Sequence, residues 1–101
     1  MIHLKIIDEL GKTLRNCAII NINELSEIIA HTNQNLIINI SLIDTNNDTY
    51  FNTEQLHDLR TEIEILIQSE AQQQALNMIY EGILSTLEEG AFSYLKFEIR
   101  K

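Results

Sequence analysis

The segment Thr49-Tyr50-Phe51-Asn52-Thr53-Glu54-Gln55-Leu56 changes character in its middle, from the β-branched and aromatic run of a strand to the start of a helix. Asn52 is a good N-cap, and Gln55 three residues on completes a capping-box variant. Phe51 before the cap and Leu56 after it stand where a hydrophobic staple forms. From Thr53 onward Leu56, Leu59, Ile63, Leu66 and Ile67 follow three-and-four spacing, which predicts an amphipathic helix. The pattern thins over Ser69 to Gln74 and resumes with Leu76, Ile79, Ile83 and Leu87. One helix across the whole stretch would reach roughly 54 Å at about 1.5 Å per residue, too long for a small domain, so two are expected.

Outward from this helical centre the chain reads as strands. After Gly90, placed as a helix C′ residue, Ala91 to Arg100 alternates Ala91, Ser93, Leu95, Phe97 and Ile99 against Phe92, Tyr94, Lys96, Glu98 and Arg100. On the other side, Leu36 to Ile43 sets Leu36, Ile38, Ile40 and Leu42 on one face and Asn39 and Ser41 on the other, which predicts a strand. Asp44-Thr45-Asn46-Asn47-Asp48 then turns the chain into a short strand, Thr49 to Phe51. Glu24 to His31, capped by Asn21 or Asn23, reads as a short helix. Ile2 to Asp8 and Thr13 to Ile20 read as a hairpin about Gly11. The expectation is one α+β domain over residues 1–101, with a mostly antiparallel sheet of about five strands and two to three helices on one face.

The chain has 101 residues, of which 45% are hydrophobic, and its fifteen acids and seven bases leave a net charge of −8. That much apolar material argues against intrinsic disorder. The charge argues against nucleic acid and against an anionic membrane surface as partners. No apolar run is long enough to span a bilayer, and the first residues lack a signal-peptide plan. A single cysteine, Cys17, allows no internal disulfide, which points to a cytoplasmic setting.

Several motifs resemble sites and lack an essential part. Gly11-Lys12-Thr13 looks like the end of a phosphate loop, but the glycine required five residues earlier is Ile6. Asp44, Asn46 and Asp48 occupy the first, third and fifth places of a calcium loop. Thr49 then stands where glycine is required and Gln55 where a bidentate carboxylate is required, so a turn is the better reading. His3, His31 and His57 are scattered, with no metal-ligand spacing. His57, Asp58 and Cys17 carry no catalytic signature. The sequence implies no enzyme, cofactor or metal.

The acids carry more. Between Asn16 and Leu95 stand twelve acids and one base, Arg60, while the other six bases lie near the two chain ends. Glu54, Asp58 and Glu62 recur at i, i+4 and i+8, predicting an acidic stripe on one helix face, although like charges so spaced repel. Phe92 and Tyr94 stand on the polar face of the final strand. These five are the candidate partner-binding residues. A solvated acidic surface accounts for the charge without a partner; a face that meets a cationic protein accounts for it with one.

Thr49-Tyr50-Phe51-Asn52-Thr53-Glu54-Gln55-Leu56 and the closing Tyr94-Leu95-Lys96-Phe97 together resemble small acidic bacterial proteins encoded beside toxins, some of which are immunity proteins. Here the last strand ends Glu98-Ile99-Arg100-Lys101, where the commoner pattern has a glycine–aspartate pair. The resemblance implies a cytoplasmic antitoxin that blocks a basic toxin domain, such as a nuclease, by stoichiometric binding. The alternative is a structural or regulatory subunit that self-associates, as a homodimer, through its last strand.

Overall fold

A computed structural model describes residues 1–31, 39–69 and 73–100. Within them the chain runs β1 (Ile2–Asp8), β2 (Thr13–Ile20), α1 (Ile22–His31), a 3₁₀ turn (Ile40–Leu42), β3 (Thr49–Phe51), α2 (Thr53–Ser69), α3 (Gln73–Glu89) and β4 (Ser93–Ile99). The four strands form one antiparallel sheet in the order β2-β1-β4-β3. The fold is therefore α+β, as the periodicities predict, with four strands in place of about five.

The strand-to-helix boundary forms as its residues dictate. The Asn52 amide donates to Gln55 Oε1 at 2.9 Å, and the Gln55 amide donates to Asn52 Oδ1 at 2.9 Å. Phe51 and Leu56 are both buried, and Phe51 meets Phe97 edge to face with ring centroids 5.5 Å apart. At α1 the cap is Asn21, whose Oδ1 accepts from the Asn23 and Glu24 amides at 2.8 and 3.4 Å. The long helical stretch is two helices, α2 and α3, packed together. Packed together with only three residues between them, they run antiparallel, and Tyr80 Oη donates to Glu64 Oε2 at 3.0 Å.

One face of the sheet is the core face. Ile2, Leu4 and Ile6 of β1, Leu95 and Phe97 of β4, and Phe51 of β3 are buried. Leu25, Ile28, Leu59, Ile63, Leu76, Ile79 and Ile83 meet most of them from the three helices. α3 lies closest, with Gly82 facing the sheet: a Cβ there would stand 3.5 Å from Leu95 Cδ1 and 3.8 Å from Leu4 Cδ1, at ordinary contact distance. The opposite face carries His3, Lys5, Tyr50, Tyr94, Lys96 and Glu98, all at least partly exposed. No helix of the described residues is long and apolar enough to cross a membrane.

The strand expected over Leu36–Ile43 does not form in its described part. Residues 36–38 lie outside the described residues, and Ile40–Leu42 is a 3₁₀ turn. Ile40 and Ile43, three apart, face the core, while Leu42 is exposed. This is the three-residue period of a 3₁₀ helix rather than the two-residue period of a strand. The cause is Glu62. Its carboxylate accepts from the Asn39 and Ile40 amides at 2.9 and 3.0 Å and from Asn39 Nδ2 at 2.7 Å, so these donors have no need of a strand partner.

Candidate interaction surface

Glu62 is thereby removed from the predicted acidic stripe. It is 7% exposed and engaged by three donors, so it holds a loop and does not face a partner. Glu54 and Asp58 are exposed on α2 as the spacing predicts. Phe92 stands in the turn before β4, not on the strand, and is 72% exposed. Tyr94 lies on the open sheet face, paired with Ile7 of β1, and is half-buried. Ile7 on that face is buried but is not part of the core cluster to which the helices contribute. β4 is hydrogen-bonded to β1 on one side and, over Leu95–Phe97, to β3 on the other. Self-association through the last strand has no free backbone edge over those three residues and would fall to side chains such as Tyr94.

The topology places Glu54 at the same end of the molecule as acids that spacing alone does not connect to it. Because α2 and α3 are antiparallel, the first turn of α2 lies at the end where α3 finishes in Glu88 and Glu89, both exposed. β1 ends at the same side, since Asp8 pairs with Ser93, and it delivers the exposed Glu9 there. Glu54 sits favourably at a helix N-terminus, whereas Glu88 and Glu89 sit at a C-terminus, where negative charge is disfavoured by about 0.3–1 kcal/mol. No basic residue occupies that last turn to relieve them. The signal that could have found Glu88 and Glu89 was the helical hairpin, which returns the chain to its starting end.

The bases sort oppositely. Lys5, Arg15 and Lys96 lie on strands, with Arg100 just beyond β4. Among the described helices the one base is Arg60, within 3.9 Å of Glu64. On the open sheet face Glu98 takes the Lys5 ammonium at 2.5 Å and Arg100 at 3.5 Å. The hydrogen bond from Lys5, opposed by desolvation and aided by the nearby positive charges, holds its carboxyl below the usual range. Lys96 lies 5.6 Å from the centre of the Tyr50 ring and 3.7 Å from Asp48.

The remaining motifs resolve into local structure. Asp44 Oδ1 accepts from the Asn46 amide at 2.8 Å and Oδ2 from Asn47 Nδ2 at 3.0 Å. The Asn47 bond foremost, with the Asn46 amide, lowers the Asp44 pKa. Asp48 Oδ1 accepts from the Ile99 amide at 2.9 Å and so ties the turn to β4. Both loop carboxylates are occupied by their own chain. Among the described residues no group of three or more His, Cys, Asp and Glu is placed to hold a metal ion. Cys17 is half-buried where β2 bulges opposite Leu4 and Lys5; burial raises its thiol pKa against the lowering effect of Arg15. The depressions beside it, about 480 and 390 Å³, lie against β2 and away from the acidic end. His57 is exposed.

Comparison with known proteins returned no matching family model, curated protein or solved structure.

Proposed function

We propose that the chain is a non-enzymatic, cytoplasmic protein-binding module, an immunity protein that neutralises a basic toxin domain by stoichiometric binding through its acidic end. The supporting observation is the gathering of Glu54, Glu88, Glu89 and Glu9 at one end of the molecule, with Asp58 one turn further along α2. Nuclease clefts are cationic because they bind phosphate, so an acidic plug suits them. Such a surface steers a cationic partner and rejects anionic ones.

The test is co-expression with the product of the adjacent gene. The expected outcome is relief of that product's toxicity and a one-to-one complex. A non-toxic neighbour that forms no complex contradicts the proposal. Within the complex, Glu54→Lys with Asp58→Lys weakens affinity by about tenfold or more, or roughly 1.4 kcal/mol. Both side chains are exposed, so the fold keeps its stability to within about 0.5 kcal/mol per substitution. Titration calorimetry and thermal unfolding read the two effects separately.

A further inference from the structure

Resting on the acidic-end reading, we infer that the contact is anchored by an apolar pair, Leu10 and Phe92, which insert into an apolar pocket of a cationic protein surface. Leu10 is 90% exposed and Phe92 72%, the two highest values among the large exposed hydrophobic side chains. Single exposed apolar residues are ordinary; these two occupy neighbouring turns. Asp8 pairs with Ser93 across β1 and β4, so the β1–β2 turn and the α3–β4 turn emerge side by side. Leu14, 44% exposed, adjoins them at the start of β2.

Both turns are held in place. Asp8 Oδ1 accepts from the Leu10 and Lys12 amides at 2.9 Å each, the Asp8 amide donates to the Lys12 carbonyl at 2.9 Å, and Gly11 adopts φ 84°. In the second turn the Ser93 amide donates to the Gly90 carbonyl at 3.2 Å, with Gly90 at φ 112°. Anchors carried on backbone already fixed lose little freedom on binding. Turn tips ordinarily take small polar residues, and among the described residues these two stay the most exposed of the large hydrophobic side chains. Exposed Glu9, Glu54, Glu88 and Glu89 stand at the same end, with Lys12 the one base of the β1–β2 turn. An apolar centre with a charged rim is the anatomy of a protein interface, and the sign of this rim selects a cationic partner. A second copy docked end to end would oppose like charges.

The test uses a synthetic amphipathic helix of leucine and lysine as probe, an all-lysine peptide of equal length as control, and ¹⁵N amide shifts as readout. The expected result is perturbation centred on Leu10, Gly11, Glu89 and Phe92 by the leucine–lysine peptide, and weaker binding of the all-lysine peptide. Leu10→Ser with Phe92→Ser weakens the leucine–lysine peptide by at least about tenfold, while Leu42→Ser with Ile65→Ser changes it by less than about twofold. All four side chains are exposed, so the amide spectrum away from the substitutions stays native. Three results overturn the apolar anchor: shifts confined to Glu54–Asp58 with the two turns silent, equal binding of both peptides, or full affinity in the Leu10, Phe92 variant. In each of these the acidic end still binds cations and the proposed function stands. Binding by neither peptide removes both.

Discussion

Glu62 satisfies two backbone amides and one side-chain amide with a single carboxylate from the neighbouring helix. Glu62→Ala leaves those donors part-buried without a partner, at a cost of about 1–3 kcal/mol. Glu62→Gln keeps one acceptor oxygen but turns an NH₂ group toward donors, so its loss falls between. Denaturant midpoints of the two variants check this, and a wild-type midpoint for Glu62→Ala contradicts it. Nothing in the spacing of Glu54, Asp58 and Glu62 separates the third from the other two. What separates them is a partner more than twenty residues earlier in the chain, and such distant pairings leave no local pattern. Glu98 makes a second residue-scale prediction. Its folded pKa is depressed, so its contribution to stability is full above the unfolded carboxyl value, about 4.3. That contribution is lost as pH falls through the lower folded value. Glu98→Gln therefore lowers stability at neutral pH and makes the decline below about pH 4.3 shallower. Chemical denaturation of both proteins across that range shows it; parallel curves refute it.

The elements most legible in the sequence were those whose ends are fixed by local chemistry. β1, β2 and β3 fall on their expected residues, and α2 starts at Thr53 because Asn52 and Gln55 cap it reciprocally. Asn52→Ala removes that cap and costs about 1 kcal/mol, measurable as a lowered unfolding midpoint. The alternation along β4 was also legible, with Ser93, Leu95 and Phe97 buried. Its start was not: Gly90 to Phe92 takes a turn that pairs the Ser93 amide with the Gly90 carbonyl, which moves Phe92 off the strand. Within Leu36–Ile43 the described part misled because Ile40, Leu42 and Ile43 suit a strand and a 3₁₀ turn almost equally well as a local pattern. The choice was made by Glu62, on another element. In α3, the Cβ of Gly82→Ala would reach Leu95 at ordinary contact distance. Alanine there gains about 1 kcal/mol of helix propensity at little steric cost, so thermal unfolding is expected at a higher temperature. A fall instead shows that the α3–sheet approach has no room.

At the scale of the whole molecule, charge is divided between layers: acids crowd the helices and most bases lie on the sheet and its ends. The sequence showed this division only as bases near the chain ends and acids between them, because both end segments contribute strands. It could not show that the helical hairpin brings the end of α3 back to the end where α2 starts, or that the turns carrying Leu10 and Phe92 emerge at one end. Those placements follow from strand order and helix direction, which are set by packing across the chain. The measurement that bears most directly on the acidic end is the association rate with the adjacent gene's product as salt rises. Screening contracts from about 10 Å at 0.1 M to about 3 Å at 1 M. The rate is predicted to fall steeply over that range for the wild-type chain and to flatten once Glu54→Lys and Asp58→Lys are introduced. A rate that ignores salt, or a slope the two substitutions leave unchanged, contradicts the acidic end as the contact surface.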